Sequence, residues 1–113
     1  MPDEPGVKFD GGKRPWRLLP WKATGVVVDV LKFGAEKYSP DNWRKVPQAR
    51  ERYFDAAIRH LEAWHGGEMM DPESGLHHLA HAACCVLFIL ELELADHPRV
   101  GDPPLGSGVP DGD

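Results

Sequence analysis

Five side chains able to bind metal or move protons fall within the eleven residues Asp71-Pro-Glu-Ser-Gly-Leu-His-His-Leu-Ala-His81. Two are carboxylates, Asp71 and Glu73, and three are imidazoles, His77, His78 and His81. Imidazole nitrogen suits Mn, Fe, Co, Ni or Zn, and carboxylate oxygen suits Mg and Mn, so the mixture points to a divalent ion without naming it. The bland alternative is a set of capping or interface histidines. Asp71 is a good N-cap, Pro72 fits a first helical position, and the apolar run Leu79 to Leu90 follows, so the sequence predicts a helix that begins at this cluster. At 100° per residue, His77, His78 and His81 then share about a 100° arc, with Ser74 and Cys85 on the same side.

A second constellation, Asp55, Arg59 and Glu62, occupies about 60° of a preceding helix. If that stripe faces the histidines, carboxylates and imidazoles converge and Arg59 can meet a phosphate through its fork of donors. A solvated ladder of i,i+3 and i,i+4 ion pairs explains the same pattern without function. His60 lies off this stripe, where a core or interface role is the simpler reading. A third group, Lys8-Phe9-Asp10-Gly11-Gly12-Lys13-Arg14, can wrap a polyphosphate with backbone N–H groups and cations. It is not a P-loop, because Arg14 stands where Ser or Thr would bind magnesium. Asn42 and Trp43 offer an amide beside a stacking face, a pair suited to a nucleobase and equally to packing.

Three helices must position these groups. The first is expected from Pro20 to about Tyr38, with Ala23, Val27, Val30, Leu31 and Tyr38 at helical spacing. The second runs from about Gln48 to Trp64, with an apolar stripe of Phe54, Ala57, Ile58, Leu61 and Trp64, and ends at Gly66-Gly67. The third reaches about Ala95 and is apolar nearly all round, which marks it as central to the core. Residues 1–19 read as an extended arm, 20–95 as the helical domain and 96–113 as a Pro/Gly-rich disordered tail. The fold class is all-α.

Composition narrows the function. With 113 residues and 42% hydrophobic content, the core is marginal for a lone monomer, so oligomerisation is expected to complete it. A net charge of −5 without a basic stripe argues against duplex nucleic acid. The twelve-residue apolar run ends in Glu91 and Glu93, short of the roughly 20 residues of a bilayer span. The N-terminus lacks the basic and apolar regions of a secretory signal. Cys84 and Cys85 diverge by about 100° on a helix, so a mutual disulfide is unfavourable and a reducing cytoplasm is the expected setting. Neither G-x-S-x-G nor H-E-x-x-H occurs, and no His-Asp dipeptide is present.

Lys8-Phe9-Asp10-x-x-Lys13, Phe33-Gly34-Ala35-x-Lys37-Tyr38, Asn42-Trp43-Arg44, Ala57-x-Arg59-His60, Gly67-Glu68 and Asp71-Pro72-Glu73-Ser74-Gly75-x-x-His78-Leu79-x-His81 together resemble the phage-associated dATP/dGTP diphosphohydrolases. These form the MazZ-like branch of the all-α, MazG-like nucleotide pyrophosphohydrolases. The resemblance covers roughly residues 7–94. It implies cleavage of a purine deoxynucleoside triphosphate between the α and β phosphates, with Mg²⁺ or Mn²⁺, by a helical bundle assembled as a homo-dimer or homo-tetramer. In a phage the setting would be the host cytoplasm, with neither nucleic acid nor membrane as partner.

One departure stands out. MazG-like enzymes carry an E-x-x-E pair on one helix and E-x-x-D on the next, where this chain has Asp55 and Arg59, then His78 and His81. The expected metal ligands are therefore Asp55, Glu73, His78 and His81, with Glu62, Glu68 and Asp71 in reserve. Glu68, Asp71 and Arg59 are the catalytic candidates. Lys13, Lys37, Asn42, Trp43, Phe33 and His60 are the substrate-binding candidates, with Phe33, Tyr38 and Trp43 stacking on the base.

Overall fold

The computed structural model describes residues 4–99. Three α-helices carry the fold: α1 (Trp21–Lys37), α2 (Ala49–His65) and α3 (His78–Asp96). Short 3₁₀ turns, Trp16–Leu18 and Asn42–Lys45, precede α1 and α2. No strand occurs among the described residues, only an isolated bridge between Met70 and His77. The all-α expectation holds.

Helix boundaries follow local chemistry. Pro20 cannot continue a helix backwards, and its carbonyl accepts both the backbone N–H and the hydroxyl of Thr24, each at 2.9 Å. Gly66 and Gly67 close α2 in a Schellman motif: Gly67 N–H donates to Trp64 and Glu68 N–H to Ala63, at 3.0 and 2.9 Å. Gly67 has φ +106°, where a Cβ would be strained. This stop turns the chain so that Glu68 leaves α2 towards α3.

The third helix begins later than its sequence suggests. Asp71 does cap a turn, with Oδ2 accepting from the backbone N–H of Ser74 at 2.9 Å, and Gly75 N–H donates to the Asp71 carbonyl at 2.8 Å. Gly75, however, has φ +72°, which ends the turn after a single cycle, and the Leu76 carbonyl folds back to accept from Asp71 N–H at 2.8 Å. Helix α3 then starts at His78, with His77 as N-cap: its Nδ1 accepts from Leu79 N–H at 3.0 Å. Residues 71–77 are thus a clasp between two helices, not a first helical turn.

Both α1 and α2 pack on α3. Small residues make this possible, because Ala80, Ala82, Cys84 and Cys85 of α3 and Ala57 of α2 are buried and let the backbones approach. Val30 of α1 joins Ala80 and Cys84 in the core, with Val27, Leu76 and Phe88 against them. At the other end, Arg50 donates to the Leu92 carbonyl at 3.1 Å and pairs with Asp96, a cation on the carbonyl terminus of α3.

Two expectations about helix faces change. The α2 stripe of Phe54, Ile58 and Leu61 is 57%, 46% and 41% exposed, and only Ala57 of that stripe is buried. Helix α3 is not covered all round either, since Val86 and Leu90 are about half exposed. The face of α2 that meets the interior instead carries Tyr53, Ala56, Ala57 and His60. Helix α3 is long and apolar enough, by length and composition, to cross a membrane, but its first turns carry hydrogen-bonded histidines and it forms the spine for α1 and α2. From residue 100 onward the expected tail lies outside the described residues.

Candidate active site

The clasp and the ends of α2 and α3 bring His60, Asp71, His78 and His81 together. His78 is the buried member, 3% exposed, where an unsatisfied imidazole would be costly. Both of its nitrogens are engaged: Nδ1 meets Nδ1 of His60 at 2.8 Å, and Nε2 meets Oε1 of Glu68 at 2.6 Å. His60 stacks on His81 with centroids 4.6 Å apart and planes 12° from parallel. Ser74 ties His81 to the clasp, its hydroxyl lying 2.7 Å from His81 Nε2 and donating to Asp71 Oδ2 at 3.0 Å.

Ser74 is not arranged as a nucleophile. Its hydroxyl proton goes to Asp71, and its oxygen also accepts from Leu76 N–H at 3.1 Å. The hydroxyl is consumed in building the turn that presents Asp71 and His81.

Electrostatics favour the neutral rings of His60 and His81 and the ionised carboxylate of Asp71. Burial lowers the pKa of His60, and the neighbouring His81 and His78 lower it further. Burial likewise lowers that of His81, opposed by the Asp71 charge. For Asp71, burial pushes upward, yet the hydrogen bonds from the backbone and hydroxyl of Ser74 outweigh it and the pKa falls. Neutral imidazole and ionised carboxylate are the forms that bind metal. His60, Asp71 and His78 each offer a ligand atom within 4.8 Å of the others, two nitrogens and one oxygen.

His60, Asp71 and His81 line a cavity of about 280 Å³. Phe33, Tyr38, Trp43, Tyr53 and Phe88 contribute aromatic walls, and Lys37, Asn42 and Glu73 polar ones. Lys37 donates to Glu73 at 2.5 Å, a bond that raises the Lys37 pKa. Cys84 and Cys85 line the floor, where burial pushes their thiols up to about 12 and about 11, so both behave as small apolar groups. Tyr38, Asn42, Tyr53 and Ala56 also line an adjoining cleft, whose other walls include Lys45, Arg52, Asp55 and Arg59. An aromatic pocket and a cation-lined cleft therefore share a boundary.

The expected site residues divide between these features. Helix α2 is rotated so that His60, not the Asp55, Arg59 and Glu62 stripe, faces His78 and His81. Asp55 and Arg59 lie in the adjoining cleft. Glu73 lines the pocket but is held by Lys37, and Glu68 backs His78. Phe33 meets His81 edge-on at 6.4 Å. Trp43 has both faces occupied, stacked on Phe88 at 4.3 Å and covered by Arg44 at 4.3 Å, so it walls the pocket without a free face for a base. Tyr53, Phe88, Lys45 and Arg52 were not anticipated from sequence. His60 shares a helix face with buried Ala57, three residues before it, and that spacing was its available signal.

The fold and site define a small all-helical domain in which imidazoles and a carboxylate converge on an aromatic pocket. The chain belongs to the dATP/dGTP diphosphohydrolase, N-terminal family, with residues 3–100 matched. It is 39% identical over 105 residues to a dATP/dGTP diphosphohydrolase of Salmonella phage PMBT28. That match covers 93% of this chain and 35% of the relative, so the chain spans about a third of the relative's length. No solved structure matches the chain.

Proposed function

We propose that this domain hydrolyses a purine deoxynucleoside triphosphate, dATP or dGTP, between the α and β phosphates. Water adds to the α-phosphorus, the bond to the bridging oxygen breaks, and the products are the nucleoside monophosphate and pyrophosphate. The observation that carries the reading is that His60, Asp71 and His81 line an aromatic pocket, with His78 buried behind them. Family membership and the name of the phage relative support the substrate class.

The donor set fits a divalent metal. Imidazole nitrogen beside carboxylate oxygen favours Mn²⁺ over Mg²⁺, which prefers all-oxygen surroundings. His60 and Asp71 would hold the ion, with buried His78 orienting His60 from behind. When bound, such an ion neutralises phosphate charge and lowers the pKa of a coordinated water.

The chain's own residues supply the rest. Asp71 Oδ2 is taken by Ser74, which leaves Oδ1 for a cation or the attacking water. Neutral His81, with Nε2 held by Ser74, presents Nδ1 as a proton acceptor. Phe33, Tyr38 and Tyr53 supply apolar walls for the purine, and the Asn42 amide reads its edge. Lys37 at the pocket, with Arg59, Arg52 and Lys45 in the adjoining cleft, offsets the charge of the phosphates.

The exposed stripe of Phe54, Ile58 and Leu61 on α2, with Leu79, Val86 and Leu90 on α3, supports a homo-oligomer that covers the side of the helix pair facing away from α1. Incubation with each dNTP and NTP plus Mn²⁺ or Mg²⁺, followed by separation of the products, tests the reaction. Deoxypurine monophosphate with pyrophosphate is expected. Diphosphate plus free phosphate would reject α–β cleavage, and no turnover with any pair would reject the enzyme.

A further inference from the structure

Glu68 does not line the pocket, yet it ends a hydrogen-bonded line that reaches it: Glu68 Oε1 to His78 Nε2 at 2.6 Å, then His78 Nδ1 to His60 Nδ1 at 2.8 Å. Each contact needs one donor and one acceptor. As acceptor, the Glu68 oxygen takes a proton from His78 Nε2. A neutral His78 then has only a lone pair on Nδ1, so the proton in the second contact must sit on His60 Nδ1. His60 is left with its lone pair on Nε2.

We propose that Glu68 is a positioning residue which, through His78, locks His60 in the Nδ1–H tautomer so that His60 offers Nε2 as an electron-pair donor to the pocket. Three features of the fold build this line. The Schellman stop at Gly66-Gly67 turns Glu68 back towards α3. The Met69 carbonyl accepts from His78 N–H at 2.9 Å and fixes where α3 begins. His78 is almost wholly enclosed, so its ring has no solvent with which to exchange partners. Carboxylates that orient histidines in this manner typically change metal affinity 10- to 100-fold when removed. The metal arm of the test rests on the function proposed above, whereas the tautomer arm does not.

Long-range ¹H–¹⁵N correlation on the metal-free full chain at about pH 8, above the ordinary histidine range, reads the tautomers directly. His→Gln variants assign the rings. The expected result is His60 protonated on Nδ1 and His78 on Nε2. Glu68→Leu should move His60 towards the Nε2–H form and weaken Mn²⁺ binding at least about tenfold. Glu68→Gln keeps an acceptor oxygen and should retain both tautomers. His60 protonated on Nε2 in the unaltered chain would overturn the proposal, as would a His78 protonated on both nitrogens or tautomers indifferent to Glu68→Leu. The stated tautomers in a protein that binds no Mn²⁺ would uphold the line and reject the metal reading instead.

Discussion

His60 and His78 sit on different helices, yet their Nδ1 atoms stand 2.8 Å apart. That contact joins α2 to α3 beside the pocket and ties pocket-lining His60 to buried His78. It also separates His60 from its neighbour Arg59, which lines the adjoining cleft.

Substitutions on the two sides of α2 should therefore behave differently. His60→Ala and Asp71→Asn are expected to reduce kcat/KM for dGTP or dATP hydrolysis by about 10²-fold or more. Asp55→Asn, in the cleft, should cost less than about tenfold. Steady-state kinetics with Mn²⁺ measure all three, and circular dichroism checks that helix content persists.

Stability should fall on acidification in two stages. His60 and His81 have native pKa values below the ordinary 6.5, so below that pH the unfolded chain binds protons that the native one refuses. Their contribution is complete above 6.5 and declines as the pH drops towards the lowered native values. Asp71, below its ordinary 3.8, adds a second decline as the pH falls through its depressed value. Thermal melts across the acidic range, compared with those of His60→Gln, should show the first decline diminished in the variant.

Gly67→Ala isolates the Schellman stop. Nothing lies within 4 Å of a Cβ at this position, so the cost is backbone strain at φ +106°, on the order of 1–2 kcal/mol. Denaturant unfolding should register that loss with an unchanged m-value. Glycine at position 34, which lacks a positive φ and also has open space for a Cβ, is the matched control: Gly34→Ala should be neutral or stabilising for the fold.

Trp43 links the 3₁₀ turn Asn42–Lys45 to α3. Trp43→Ala removes its stack on Phe88 and should destabilise by about 2 kcal/mol, below the range for a fully buried tryptophan because the ring is only half-buried. Arg44→Ala, which removes the cation over the other face, should cost at most about 1 kcal/mol. If Trp43 serves mainly as a wall, Trp43→Phe should retain most of the stability lost in the alanine variant and most of the nucleotide affinity as well.

The apolar side of the α2–α3 pair makes a prediction about assembly. Ile58→Glu or Val86→Glu introduces a charge on that side and should shift the proposed homo-oligomer to monomer in sedimentation velocity. An unchanged sedimentation coefficient for both variants would remove this surface from the interface.

Much of this protein is legible in its sequence because the signals are local. Pro20 and Gly66-Gly67 bound helices through φ restriction and lost or gained hydrogen bonds, and helical periodicity identifies three amphipathic or apolar segments. The same local chemistry locates the dense cluster from Asp71 to His81. What the sequence left open depends on how helices rotate about their axes. Gly75 at φ +72° delays α3 to His78, and the small residues Ala57, Ala80, Ala82 and Cys85 set which sides of α2 and α3 meet. Rotation sends His60 inward and the Asp55, Arg59 and Glu62 stripe elsewhere, a choice made by packing between distant segments and by the hydrogen bonds that buried imidazoles must find.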